Sequence, residues 1–123
     1  FPVTPGGRTK NRDLTPFLLL NLARNGLQAM QASPEPRILH LQARLHSPQA
    51  IEFAVTDTGI GIAPEVAQRL FTPFFTTKDE GMGLGLSLCR SVLEQHGSTL
   101  RHQPHPPRGT RFSFTLPVAR SIL

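Results

Sequence analysis

The sequence has a single cysteine, no long apolar run and no dense cluster of charge. Because Cys89 has no second cysteine to pair with, an internal disulfide and a cysteine-rich metal site are both excluded, which fits a reducing compartment. We expect Cys89 to act as a small apolar residue within a helix. The longest apolar run, residues 17–23, contains an asparagine and is far too short to cross a membrane. No signal-peptide pattern precedes it.

Basic side chains are in excess but are scattered along the chain. The 13 lysines and arginines outnumber the 8 aspartates and glutamates, which gives a net charge of +5. A nucleic-acid-binding module would concentrate such charge in a stripe with aromatic side chains between the basic ones. The spread therefore argues against nucleic acid as a partner and predicts a surface that favours anions in general.

The length of 123 residues allows one domain with one core and leaves no room for a second catalytic domain. Residues 1–13 are rich in proline, glycine and basic side chains, which predicts a linker or a weak edge strand. The domain itself is expected at residues 14–118, followed by a C-terminal tail at 119–123. Because the chain starts with Phe1 rather than methionine, we expect it to be a piece of a longer protein.

The first half of the chain predicts one helix and one β-hairpin. Thr15 can cap a helix that has Pro16 at its first position and apolar residues up to Met30. Residues 37–46 and 51–57 alternate between apolar and polar side chains, which predicts two antiparallel strands, each with one buried face.

The second half predicts two helices followed by two strands. A short helix begins near Pro64, residues 71–81 form a loop, and a longer helix covers residues 84–97. The predicted buried stripe of the longer helix consists of Leu84, Leu88 and Val92. Residues 98–103 and 109–117 complete the set as strands. This order predicts the α+β class, a two-layer sandwich in which helices cover one face of a mixed, largely antiparallel sheet.

Two asparagines interrupt the first predicted helix. Asn21 and Asn25 stand four residues apart, so both amides project from one helix face among core-forming neighbours. Asparagine is unfavourable inside a helix because its side chain competes for backbone hydrogen bonds. An amide oxygen suits Mg²⁺, which also binds phosphate oxygens. Hydrogen bonds from the amides to nearby backbone would explain the pair equally well.

The stretch "DTGIGI" directly follows the second predicted strand. Gly59 and Gly61 allow the backbone to turn sharply and approach a flat ligand, while Asp57 can accept a hydrogen bond from an exocyclic amino group. Adenine carries such a donor, and guanine carries an acceptor at the same place. Taken alone, the stretch is better explained as an ordinary Asp-Gly loop.

The stretch "GMGLGL", residues 81–86, places three glycines where a loop becomes a helix. Free backbone N–H groups and the positive end of a helix could face phosphates there. The spacing is not that of a Rossmann fingerprint, and Lys78 precedes the first glycine instead of following the last as in a Walker A loop. Together the three stretches supply a metal ligand, a base-selecting carboxylate and a phosphate-binding loop, which are the groups needed to bind Mg²⁺-ATP.

With these motifs the sequence resembles the catalytic, ATP-binding domain of bacterial sensor histidine kinases. That superfamily also contains gyrase, heat-shock chaperone and mismatch-repair ATPases. In chain order, "NLARNGLQAM" looks like the N-box, "DTGIGI" the first glycine box, "FTPFFTTK" the F-box, "GMGLGL" the second glycine box and "GTRFSFTLP" the closing strand. The resemblance covers residues 14–117, is most similar to the nitrogen- and oxygen-regulating branch, and implies the Bergerat fold.

The resemblance implies a role for each motif residue. Asn25 would be a catalytic residue that holds Mg²⁺, with Asn21 close to the phosphates. Asp57 would accept a hydrogen bond from the adenine amino group, supported by Thr110. Lys78, the second implied catalytic residue, would reach the terminal phosphates. The remaining residues implied to line the nucleotide are Gly59, Gly61, Ile62, Gly81, Met82, Gly83, Leu84 and Gly85.

The residue at position 21 separates kinases from ATPases within the superfamily. Hydrolysing members place a glutamate four residues before the metal-binding asparagine, where it can activate water. Asn21 occupies that place here, and an amide cannot act as a general base at neutral pH. We therefore expect this domain to position ATP for transfer to another nucleophile and to hydrolyse it poorly.

The phosphoacceptor implied by the resemblance is absent from this sequence. None of the five histidines has the expected sequence neighbours; they are His40, His46, His96, His102 and His105. We expect an ATP-dependent protein-histidine kinase domain that cannot autophosphorylate alone. Its substrate histidine would lie upstream in a dimerisation domain of the same protein, which then serves a response regulator. The parent would be a homodimer, and this piece a cytoplasmic monomer from a cytoplasmic or membrane-anchored parent.

Three positions depart from the family pattern. Gly26 replaces the usual alanine after the N-box asparagine and should cost roughly 1 kcal/mol of helix stability. Gln28 replaces a lysine that could contact phosphate, and Asn11 stands where an aspartate is common.

Two other functions fit the same motifs. One is an anti-sigma-type serine kinase of the same fold, and the other is a degenerate domain that only binds a partner.

Overall fold

The computed structural model describes residues 8–69 and 83–118, with side chains from Leu14 and from Gly85 onward in the two ranges. Helices and strands follow one another in the predicted order. They are α1 (Arg8–Ala29), β1 (Leu39–Ser47), β2 (Ala50–Asp57), α2 (Pro64–Ala67), α3 (Gly83–Gln95), β3 (Arg101–Pro104) and β4 (Thr110–Pro117). No helix within these ranges is both long enough and apolar enough to cross a bilayer.

Helix α1 begins earlier than the sequence predicts. It starts at Arg8 instead of near Thr15, so the linker or edge strand predicted for residues 8–13 is wrong. Pro16 lies inside the helix, where it removes one backbone N–H from the hydrogen-bond ladder. The buried face of α1 is formed by leucines spaced one turn apart, namely Leu14, Leu18 and Leu22. Packing of this face outweighs the local helix-start signal.

The strands form one four-stranded sheet in the order β1-β2-β4-β3, and every described pair is antiparallel. The helices cover one face, so the predicted two-layer α+β architecture is confirmed. Between the layers lies one core, to which α1, α3, β2 and β4 all contribute. Within it, the rings of Phe53 and Phe114 stack with their centroids 5.4 Å apart.

Helix α3 buries a different stripe from the predicted one. Its buried apolar side chains are Leu86, Cys89 and Leu93, whereas Leu88 is 45% exposed and Val92 is only partly buried against the core. Both stripes have helical spacing, so the periodicity alone could not choose between them. Burial raises the pKa of the Cys89 thiol to about 11, which keeps it protonated and agrees with the predicted apolar role.

Strand β1 lies at one edge of the sheet, and its apolar face is largely uncovered. Leu41 is 46% exposed and Leu45 is 68% exposed, so the predicted burial of this face is wrong. Helix α1 packs mainly on β2 and α3 and reaches β1 only near Leu39. Alternation therefore identified the strand correctly but did not determine which strand the helices cover.

Candidate functional site

Strand β2 ends in a buried carboxylate. Asp57 is 2% exposed, and its Oδ1 accepts a hydrogen bond of 2.8 Å from the Gly59 N–H. Burial raises the pKa of Asp57, and the backbone N–H groups of Gly59 and Thr110 and the nearby His105 lower it without cancelling the effect. A carboxylate has lone pairs beyond those used by two donors. Asp57 is therefore oriented by backbone and keeps accepting capacity for a ligand.

The loop after Asp57 packs on the end of α1. A Cβ atom at Gly59 would lie 2.6 Å from the carbonyl oxygen of Ala29, and the Ile60 N–H donates to that same oxygen at 3.3 Å. Gly59 is thus required for the close approach of the loop to the helix. Gly61 adopts a φ of 79°, which favours glycine. Ile62 is half-buried and packs against the core.

The β3–β4 turn packs against the backbone of Asp57 and Thr58. Gly109 has a φ of 121°, and a Cβ there would overlap the Asp57 carbonyl oxygen and lie 2.9 Å from the Thr58 Cα. Thr110, which starts β4, is buried, and its backbone N–H lies close enough to the Asp57 carboxylate to lower that carboxylate's pKa. Gly109 is not among the site residues that the sequence motifs predict. The signal available was a glycine directly before a strand of the last motif.

The two asparagines of α1 differ in their hydrogen bonds. The Asn21 Nδ2 donates to the Phe17 carbonyl at 2.8 Å, one turn earlier in the helix. The Asn25 amide is half-buried and makes no hydrogen bond to another described residue. Backbone bonding therefore explains Asn21, and it does not explain Asn25, whose amide oxygen is available to a ligand.

The asparagine motif of α1 and the Asp57 carboxylate are direct neighbours. A Cβ atom at Gly26 would lie 3.3 Å from the Asp57 Cβ and 2.7 Å from the Leu39 Cδ1. Helix α1 can approach β2 this closely because position 26 carries no side chain. The arrangement puts Asn25, the preceding residue, beside the end of β2.

Comparison with known proteins identifies this arrangement. Residues 12–120 match the family model of histidine kinase-, DNA gyrase B- and HSP90-like ATPases. The chain belongs to this ATPase family. The domain is 44% identical over 113 residues to the C4-dicarboxylate transport sensor protein DctS of Rhodobacter capsulatus, covering 91% of the chain and 17% of the relative. It is 40% identical over 103 residues to the sensor protein TdiS of Thauera aromatica, covering 82% of the chain and 19% of TdiS.

Solved structures of histidine kinases share the fold of this ATPase domain. The mycobacterial sensor histidine kinase MprB superposes with a TM-score of 0.72 at 28% identity, over 85% of this chain and 70% of that one. Full-length ShkA in complex with AMPPNP superposes with a TM-score of 0.74 at 28% identity, over 89% of this chain and 22% of that one. The chain spans about a fifth of the length of the sequence relatives TdiS and DctS. It is the ATP-binding catalytic module of the sensor histidine kinase type, as the motifs predicted.

Part of the predicted site lies beyond the described ranges. Lys78, Gly81 and Met82 fall in the gap between residues 69 and 83. For Gly83 and Leu84 the structure describes only backbone, which forms the first turn of α3, and Gly85 is half-buried in that helix. The structure brings together the asparagine motif, Asp57 and Thr110. The contacts of the second glycine motif with phosphates stay a prediction.

A separate cavity of about 420 Å³ lies at the other end of the sheet. Its lining residues come from the β1–β2 turn, the end of β4 and the segment that follows α3. They include His46, His96 and Arg101. None of the predicted site residues that the structure describes is among its lining residues. Those that the structure brings together lie at the Asp57 end of the sheet.

Proposed function

We propose that this ATPase domain binds Mg²⁺-ATP and positions its γ-phosphate for transfer to a histidine in an upstream dimerisation domain of the parent protein. The observation that carries the proposal is the contact of α1 with Asp57 at Gly26, because it joins the metal-ligating and base-selecting motifs in one site. The relatives are named sensor proteins and sensor histidine kinases, which favours a histidine over the serine of an anti-sigma-type kinase.

At the base end of the site, Asp57 accepts a hydrogen bond from the exocyclic amino group of adenine. The Gly59 N–H holds the carboxylate in place before the nucleotide arrives, and the Thr110 N–H lies close to it. Guanine presents an acceptor at that position and is rejected, since two acceptors would face one another without a proton between them. Gly61 and Ile62 continue the wall of this end.

At the phosphate end, the residues fit a magnesium ion. The Asn25 amide oxygen would hold the ion, because this amide makes no hydrogen bond to another described residue and Mg²⁺ prefers oxygen ligands. The described part of the chain contains no group of three or more histidine, cysteine, aspartate or glutamate side chains that could hold a metal. One amide ligand supplemented by the nucleotide accounts for the site. The chemistry that a bound ion would supply there is neutralisation of charge on the phosphates.

The remaining phosphate contacts come from the lid side. Lys78 reaches the terminal phosphates, and the segment from Gly81 to Gly85, with Met82 and Leu84, lines the triphosphate. Asn21 cannot activate water, because its amide has no basic character and its Nδ2 already donates to the Phe17 carbonyl. Hydrolysis without the acceptor histidine is therefore slow, and the bound nucleotide is kept for phosphoryl transfer.

The partners follow from this role. The acceptor histidine belongs to the same protein, the parent is a cytoplasmic or membrane-anchored homodimer, and a response regulator takes the phosphoryl group from that histidine. The domain alone is a cytoplasmic monomer that does not phosphorylate itself.

Calorimetric titration of the domain with nucleotides tests the proposal. We expect ATP and ADP to bind, GTP to bind far more weakly, and Mg²⁺ to strengthen ATP binding. Incubation with Mg²⁺-ATP should release phosphate near the uncatalysed rate. If millimolar ATP with Mg²⁺ gives neither heat nor a shift in thermal unfolding, the domain is a partner-binding module and the kinase function is excluded.

A further inference from the structure

An arginine in the β3–β4 turn joins three segments that are distant in the sequence. The Arg108 Nε donates to the Thr58 carbonyl at 2.7 Å. Its Nη2 donates to the carbonyls of Pro34 and Pro36 at 2.7 and 2.9 Å. Hydrogen bonds from a charged donor at such distances are among the stronger ones in proteins. We infer that Arg108 is a positioning residue for nucleotide binding, an inference that rests on the proposed function.

Thr58 extends the network that Arg108 organises. Its Oγ1 donates to the Pro36 carbonyl at 2.8 Å and accepts a hydrogen bond of 2.9 Å from the Ile38 N–H. The loop that leads from α1 to β1 is thereby attached to Thr58 through both the arginine and the threonine. Thr58 stands directly after Asp57, so this network fixes the backbone on one side of the base-selecting carboxylate.

The chemistry of the side chain matters for this role. The guanidinium group presents five donors in a rigid plane, so it can serve three carbonyl oxygens at once. A lysine ammonium at the same position is a single point charge and cannot hold all three in one geometry. The β3–β4 turn already lies against Asp57 at Gly109, and Arg108 secures that approach from the adjacent position.

Arg108 acts on the base end of the site through Thr58. Its loss should weaken ATP and ADP equally, and to the same extent with and without Mg²⁺, because the phosphate end is unaffected. A general loss of fold stability would leave affinity unchanged at a temperature where the variant is fully folded. Nucleotide affinity in the folded variant therefore separates positioning from stability.

The test compares Arg108→Ala and Arg108→Lys with Arg37→Ala as a matched control. The Arg37 Nε donates to the Ser33 carbonyl at 2.9 Å, so it bonds the same loop without reaching Thr58. Two quantities are measured at a temperature where all proteins are folded. These are the dissociation constants for ADP and ATP, with and without Mg²⁺, and the hydrogen exchange of the Ile38 and Gly59 amides in nucleotide-free protein.

We expect Arg108→Ala to weaken both nucleotides by about tenfold, as for the loss of a charged hydrogen bond, and to speed exchange at Ile38 and Gly59. The nucleotide affinity and the exchange rates of Arg108→Lys should lie between those of Arg108→Ala and those of the native protein. Arg37→Ala should have the native affinity and the native exchange rates. Should Arg108→Ala fail to fold, Arg108→Lys carries the same measurements. Native affinity or native exchange in the folded Arg108 variants would overturn the inference. Absence of nucleotide binding to the native domain would instead refute the proposed function, and the exchange rates would still test the network.

Discussion

Strands β1 and β2 have the same alternating pattern in the sequence and opposite surroundings in the fold. Leu41 of β1 pairs directly with Val55 of β2, yet their side chains are 46% and 1% exposed. The difference arises because α1 and α3 lie over β2 and β4 and leave the edge strand uncovered. Alternation thus marks a strand, and the placement of the helices decides where a buried carboxylate such as that of Asp57 can lie.

The largest expected effect comes from the buried end of β2. Asp57→Asn should reduce ATP affinity by about 100-fold. The asparagine can turn its NH₂ group toward the adenine amino group, and the donors then left unpaired cost about 3 kcal/mol of binding free energy. Titration calorimetry measures the change. Glu52→Gln is the matched control, because it makes the same chemical change on β2 outside the site and should bind ATP normally. Equal affinity of both variants would show that Asp57 does not select the base.

The paired positions on the two strands give the next effect, on the free energy of unfolding. Val55→Ala removes fully buried methyl groups and should cost about 2 kcal/mol, whereas Leu41→Ala should cost less than about 1 kcal/mol although it removes more atoms. Urea unfolding of both variants provides the comparison. If Leu41→Ala proves the more damaging change, the apolar face of β1 is covered in the folded protein.

A smaller effect concerns the pH dependence of stability. Burial raises the pKa of Asp57 in the folded protein above its value in the unfolded chain. The protonated carboxyl therefore favours the folded state at low pH, and this contribution to stability is lost as pH rises through the folded-state pKa. The stability of the native domain relative to Asp57→Asn should therefore fall as pH rises above about 4, the usual pKa of an unfolded aspartate. Denaturant unfolding of both proteins at several pH values, without nucleotide, measures this. A constant difference would mean that Asp57 titrates alike in both states.

The smallest effect is expected for the ion pairs that join β1 to the sheet surface. Glu52 lies 2.9 Å from the Arg44 Nε and 3.4 Å from an Arg111 nitrogen. Burial raises its pKa, and the two arginines outweigh that effect and lower it, so the stabilisation is present at neutral pH and is lost as pH falls through the lowered value. Since Arg44 is 64% exposed, Glu52→Gln should cost only about 0.5 kcal/mol in thermal unfolding at neutral pH. A loss as large as that of Val55→Ala would contradict the view of β1 as a weakly held edge.

Local patterns predicted the order of elements, the hairpin and the position of Asp57 at the end of the second strand, since alternation, helix periodicity and short motifs are properties of neighbouring residues. They failed where distant parts of the chain decide the outcome. The start of α1 was misplaced because a proline that suits a first turn is tolerated inside a well-packed helix. Arg108 was missed because its hydrogen-bond partner Thr58 is 50 residues away in the sequence.

The contact between Gly109 and Asp57 matters for anyone who attaches a reporter to this domain. Residues 105–109 read as an ordinary proline-rich surface turn, a usual choice for inserting a peptide or a fluorescent label. The backbone at that turn nevertheless lies against the carbonyl of Asp57, so an added residue there would push directly on the nucleotide site. The turn between Ser47 and Ala50 sits at the opposite end of the same strands and is the safer place for a label.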